Sequence, residues 1–163
     1  MTSIQNMPSD ARVWVYQSDR VLSDAEVSAL KAEGQKFIAG WSAHGASLRS
    51  GFDILYNYFI VLAVDEKQAA ASGCSIDKSV SFIKELEKKF NLNLFDRMNV
   101  AYKNGNEIAV CTLSDFEKLA AQNIVTENTI VFNNMISTKA AFDKEWEVPL
   151  KNSWQKRVLA HAE

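Results

Sequence analysis

Phe59-Ile-Val-Leu-Ala-Val64, followed by Asp65-Glu66 and then Ala69-Ala-Ala-Ser-Gly-Cys-Ser-Ile-Asp-Lys78, is the stretch that decides how this chain is read. Six consecutive apolar residues rich in Ile and Val suit a strand buried on both faces, because neither side of such a strand meets water. Downstream, Ile76, Val80, Ile83, Leu86 or Glu87, and Phe90 recur at helical spacing, with Lys84, Glu85, Lys88 and Lys89 on the solvated side. The stretch therefore predicts a central strand, a loop of small residues and a helix. Such a turn places backbone N–H groups at a helix N-terminus, where anions and reactive side chains are favoured.

Working outward toward the N-terminus, residues 1–10 read as a polar tail, and 11–163 as a single α+β domain. Arg12-Val-Trp-Val-Tyr-Gln17 is rich in strand formers and predicts a first strand. Ser23-Asp-Ala-Glu26 is a capping box, and Val27, Leu30, Phe37, Ile38 and Trp41 line one face of the helix it opens. That helix is expected to stop near His44-Gly45, with glycine as a left-handed cap. Ser47 to Asn57 reads as an edge strand or hairpin limb.

In the other direction, Met98–Tyr102 and Glu107–Cys111 flank Asn104-Gly105, a strong type I′ hairpin signal. Ser114-Asp-Phe-Glu117 is a second capping box, opening a short helix. Thr129–Phe132 reads as a strand ending at Asn133-Asn134. Lys139–Trp146 reads as a helix stopped ahead of Pro149, and Ser153–Leu159 as a further turn. The order β-α-β-β-α-β, with a hairpin limb, helices and a strand appended, predicts a ferredoxin-like (βαββαβ) sandwich. A small three-layer α/β sheet is the alternative.

The 163 residues are 47% hydrophobic and 23% charged, with a formal net charge of -2, which supplies no long-range attraction to nucleic acid or anionic membranes. No apolar run approaches the length of a membrane span, and Met1–Pro8 has neither the charge nor the hydrophobic core of a secretory signal. A cytoplasmic location is expected. Two cysteines, Cys74 and Cys111, without Cys-x-x-Cys spacing indicate reduced thiols rather than a disulfide framework or metal site. No cofactor motif is present in the sequence.

Trp41-Ser-Ala-His-Gly45, Phe59–Asp65, Ser72-Gly-Cys-Ser-Ile-Asp-Lys78, Leu94-Phe-Asp-Arg97, Val131-Phe-Asn-Asn134 and Ser153-Trp154 carry a resemblance. The chain resembles a family of uncharacterised bacterial proteins often labelled "ABC transporter ATPase". The likeness runs from Arg12 to Arg157 and is most specific over Ser72–Lys78; it implies no established activity. A phosphate-binding loop requires G-x-x-x-x-G-K-[ST]. Ahead of Lys78-Ser79 this chain has Asp77 where the second glycine belongs and Ser72 where the first belongs, and a carboxylate there repels phosphate.

The candidate chemistry gathers at Ser72, Gly73, Cys74, Ser75, Asp77 and Lys78. A thiol at a helix N-terminus is a candidate nucleophile, redox sensor or ligand contact; the alternative is a small buried residue that fills space. A catalytic reading pairs Cys74 with His44 as base and Asp65 as the acid that orients it. Asp65, Glu66 and Asp77 offer oxygens to a cation, or else end a strand and meet a helix dipole. Asn133 and Asn134 have donors and acceptors for a ligand, or form a turn. Trp14, Tyr16, Phe52, Tyr56 and Tyr58 read as core and edge packing; the alternative is an exposed sheet face on which single-stranded bases stack, for which no RNP-type motif is present. The expectation is a non-enzymatic protein that holds a small anionic ligand or a partner's acidic group at Ser72–Lys78. The alternative is a thiol-dependent enzyme or redox protein, and a homodimer is a third, structural reading.

Overall fold

Side chains alternate along a strand, so a strand apolar at every position must serve two cores at once. A computed structural model describes residues 3–67 and 69–161. Its elements run β1 (Arg12–Gln17), α1 (Asp24–Ala39), β2 (Ser42–Ala43), β3 (Ala46–Ser47), β4 (Arg49–Leu55), β5 (Phe59–Asp65), α2 (Gly73–Phe90), β6 (Asn99–Asn104), β7 (Glu107–Thr112), α3 (Leu113–Ala121), β8 (Ile130–Phe132), α4 (Lys139–Glu145) and β9 (Glu147–Pro149). Short 3-10 turns cover Ile4–Asn6, Leu150–Asn152 and Trp154–His161.

β5 is the middle strand of an antiparallel sheet ordered β1-β5-β4, and all seven of its residues are buried. Ile60, Leu62 and Val64 face a core built with Leu30 and Ile38 of α1 and Phe82, Ile83 and Leu86 of α2. Phe59, Val61 and Ala63 face a second core, shared with Ala101, Phe132 and Trp146. These last belong to or adjoin a second antiparallel sheet, ordered β7-β6-β8-β9. Its outer face, through Val100, Val131 and Val148, packs on Phe116 and Ala120 of α3 and on Val158. The result is an α+β protein in four layers: helices, sheet, sheet, helix.

The four-stranded ferredoxin-like sheet is where expectation and structure part. β1, β4 and β5 take the order that such a fold requires, but β6, read as the strand that would complete it, pairs with β7 and β8 instead. Beside β1, among the described residues, there is only an isolated bridge from Arg12 to Thr138, so most of its outer edge stays open.

Several local elements differ from their sequence signals. α1 keeps its Ser23/Glu26 capping box, yet ends at Ala39, and His44-Gly45 form the two-residue turn between β2 and β3. Both residues have positive φ, 52° and 79°, as a type I′ turn demands. The β6–β7 turn is centred on Gly105-Asn106 rather than Asn104-Gly105, with φ 67° at Gly105, because Asn104 pairs with Glu107. Thr112, not Ser114, caps α3 by accepting the Asp115 N–H at 3.1 Å. Residues 3–10, read as tail, pack against the body through Ile4 and Met7, both buried in the inter-sheet core. Gly34 of α1 lies so close to β4 that a Cβ there would fall 2.2 Å from the Phe52 ring.

Candidate functional site

The expected loop Ser72–Lys78 is helix from Gly73 onward, with Ser72 as N-cap. Its hydroxyls are engaged with one another: Ser72 Oγ accepts the Ser75 N–H at 3.1 Å, and Ser75 Oγ accepts the Ser72 N–H at 2.7 Å. Ser75 is buried, and its carbonyl accepts the Trp41 indole N–H at 2.8 Å. This reciprocal box occupies the N–H groups of Ser72 and Ser75, two of the donors that an anion would otherwise meet. Gly73, Cys74, Asp77 and Lys78 are exposed. Buried Ser75 and Ser79, with Phe82 and Leu86, show α2 turned slightly from the face that Ile76 and Val80 mark in sequence.

The catalytic constellation has partners of a different kind. Asp65 is 3% exposed and accepts from Arg49 Nη1 at 3.0 Å and from the Lys67 N–H at 3.1 Å, so the strand-end carboxylate is already paired. His44 is exposed at the tip of the β2–β3 hairpin instead of a helix end. Among the described residues no group of three or more His, Cys, Asp or Glu is placed to hold a metal ion, and no helix is long and apolar enough to cross a membrane. Cys111, half-buried on β7, has its thiol pushed up to about 11, first by burial and then by Asp115.

A different place gathers polar groups around space. Along the open edge of β1 lies a narrow cleft, about 40 Å³ where it is enclosed and open to solvent beyond, between β1, the Leu94–Asn99 segment, Asn134-Met135 and Trp154-Gln155. It forms because no described residue pairs with that edge beyond Val13, whose N–H donates to the Ser137 carbonyl at 3.0 Å. Backbone groups alternate sides along a strand, so Val15 and Gln17 turn theirs to the same open edge.

One wall is a chain of amides. The Trp146 indole donates to Asn134 Oδ1 at 3.0 Å, Asn134 Nδ2 donates to Gln17 Oε1 at 2.9 Å, and Gln17 Nε2 donates to the Asn99 carbonyl at 3.3 Å. Every member is satisfied, which holds the wall rigid. Asn133, by contrast, closes its own turn, its side chain accepting the Met135 N–H at 3.1 Å. Tyr16 and Phe95 meet edge to face, ring centres 5.5 Å apart, and supply an apolar side. Burial pushes the Tyr16 phenol up, and the Arg97 guanidinium draws it partly back.

Gln155 is the exception within this wall. It is 3% exposed, its Nε2 reaches the Phe132 carbonyl only at 3.5 Å, and its Oε1 is buried with no hydrogen-bond partner among the described residues. The neighbouring carbonyl sets the amide's orientation, because turning it over would bring two acceptors together. Of the candidate site residues that the sequence suggests, only Asn134 lies in the cleft. Gln17 and Gln155 stand in no motif that would single them out, and Arg97 closes a quoted stretch in which nothing marks it as a site residue. Leu94-Phe-Asp-Arg97 and Trp154 line the cleft. The aromatics Trp14, Tyr16, Phe52, Tyr56 and Tyr58 share no single exposed face, Tyr16 and Phe52 being buried under the helices and Tyr58 packed toward the inter-sheet core.

No family profile matches the chain, and none of the curated proteins or solved structures compared with it matches either.

Proposed function

We propose that this is a non-enzymatic binding protein that takes a small organic ligand in the cleft beside β1. The observation that carries the reading is the Gln155 carbonyl oxygen, buried and unpartnered among the described residues, in a wall whose other amides are all paired. Leaving such an acceptor unmade costs on the order of 1–3 kcal/mol, a cost that a ligand's N–H or O–H would relieve. Apolar walls with a few convergent polar groups are the usual make-up of small-molecule sites.

The test is a fragment screen on ¹⁵N-labelled protein. Binding should shift the amides of Val15, Gln17, Asn134 and Gln155 together, and a diverse library that leaves all four unmoved would sink the reading. A second reading is a thiol function at Cys74, favoured by its exposure in the first turn of α2. Its test is the labelling rate measured against free glutathione: a reactive thiol must exceed glutathione below pH 7.

A further inference from the structure

The residues that line the cleft include one cation and one anion, placed differently, and at the rim Arg157 lies over the Trp154 ring, 5.2 Å from its centre. Asp96 is tied into its own turn, Oδ1 accepting the Met98 N–H at 2.9 Å. Arg97 is exposed and has no ion pair among the described residues; Nη1 makes only a long contact with Met135 Sδ at 3.6 Å. The other arginine beside this edge, Arg12, is stacked on Trp14 with 4.9 Å to the ring centre and paired with Glu66 at 3.6 Å. Arg97 is therefore the arginine of this edge that, among the described residues, has neither an aromatic ring nor a carboxylate for a partner.

Resting on the binding reading above, we infer that the ligand is a flat, singly charged carboxylate that also carries an N–H or O–H donor. Its carboxylate meets the Arg97 guanidinium, its body lies along Tyr16 and Phe95, and its donor meets Gln155 Oε1. A guanidinium presents parallel N–H groups that match a carboxylate, and such charge-assisted bonds are the strong ones in a half-open site. Asp96 beside Arg97 offsets part of its charge, which favours one negative charge on the ligand over the two of a phosphate monoester. The apolar flank and the single buried acceptor exclude a highly hydroxylated ligand, whose other hydroxyls would lose water without partners.

Four probes separate these contributions: an indole carboxylate, its primary amide, its N-methyl derivative and an indolyl phosphate, each titrated by NMR against the full chain. The carboxylate should bind about tenfold tighter than the amide, and about fivefold tighter than the N-methyl form, as charge-assisted and neutral hydrogen bonds respectively dictate. The phosphate should bind more weakly than the carboxylate. Arg97→Gln should erase the first ratio and keep the second; Gln155→Met should erase the second and keep the first. The N-methyl probe makes the same test of Gln155 with no substitution, should that variant fold poorly.

Equal affinity of carboxylate and amide, tighter binding of the phosphate, or ratios that survive both substitutions would overturn the ligand class. If neutral fragments shift the cleft amides while the carboxylate does not, the ligand class falls and the binding site stands. If neither the probes nor the library shifts them, both fall.

Discussion

The start of α2 and the cleft beside β1 each bring several polar side chains to the end or edge of the same sheet, yet they differ in what those groups already hold. At the helix start, Ser72 and Ser75 cap each other, and Asp65 on the strand before it is paired with Arg49. In the cleft one amide chain is complete, while among the described residues Gln155 keeps a buried acceptor without a partner and Arg97 an unpaired charge. Composition makes the first place look reactive, since small residues, hydroxyls, a thiol and a lysine stand together. Hydrogen-bond accounting points to the second, because a fold has no use for an orphaned buried oxygen.

Breaking the amide chain should have the largest effect. Asn134→Ala leaves both Gln17 Oε1 and the Trp146 indole N–H without partners and should cost about 3 kcal/mol in urea unfolding. A loss below about 1 kcal/mol would mean that the wall is not held as described. Arg49→Ala should cost about 2 kcal/mol, since it leaves a carboxylate that is 3% exposed with only the Lys67 N–H as partner among the described residues. Unchanged stability would return Asp65 to the groups free for chemistry.

Thiol labelling probes the helix start directly. With its pKa held near 11, Cys111 has few thiolates at pH 7, and although each is more nucleophilic, iodoacetamide should modify it about tenfold more slowly than glutathione. Cys74, exposed, should react at about the rate of glutathione. A rate well above it would move the site back to α2. Ser72→Ala should cost about 1 kcal/mol through the lost cap alone. The smallest change is expected at Gln155→Met: stability unchanged or raised by up to about 1 kcal/mol, because the variant removes an unsatisfied acceptor and only a long bond. A clear loss would show that Gln155 is an ordinary structural amide.

How far each feature was legible follows from its range along the chain. Ser23-Asp-Ala-Glu26 declares its capping box within four residues, and the structure keeps it. Ser114-Asp-Phe-Glu117 presents the same pattern, yet Thr112 caps the helix because β7 ends there and delivers its hydroxyl first. His44-Gly45 suits a helix cap and a hairpin turn equally well; pairing of Ala43 with Ala46 selects the turn. β9 escaped notice because three residues, one of them proline, carry little pattern of their own, and pairing with β8 makes them a strand. In the cleft, Asn134 and Gln17 meet across 117 positions, and nothing in either neighbourhood marks them as partners.

By itself the sequence determined that Phe59–Val64 would be a strand with no solvent face, that one helix would follow Ser23 and another would carry Ile83 to Phe90, and that the chain would be α+β, since each depends on periodicity or capping over a few residues. Only the tertiary structure decided that β6 would join a second sheet and leave the outer edge of β1 open. Strand pairing is a competition among distant segments for the same backbone donors and acceptors. The cleft exists where that competition left an edge unclaimed, and no local stretch of residues records its outcome.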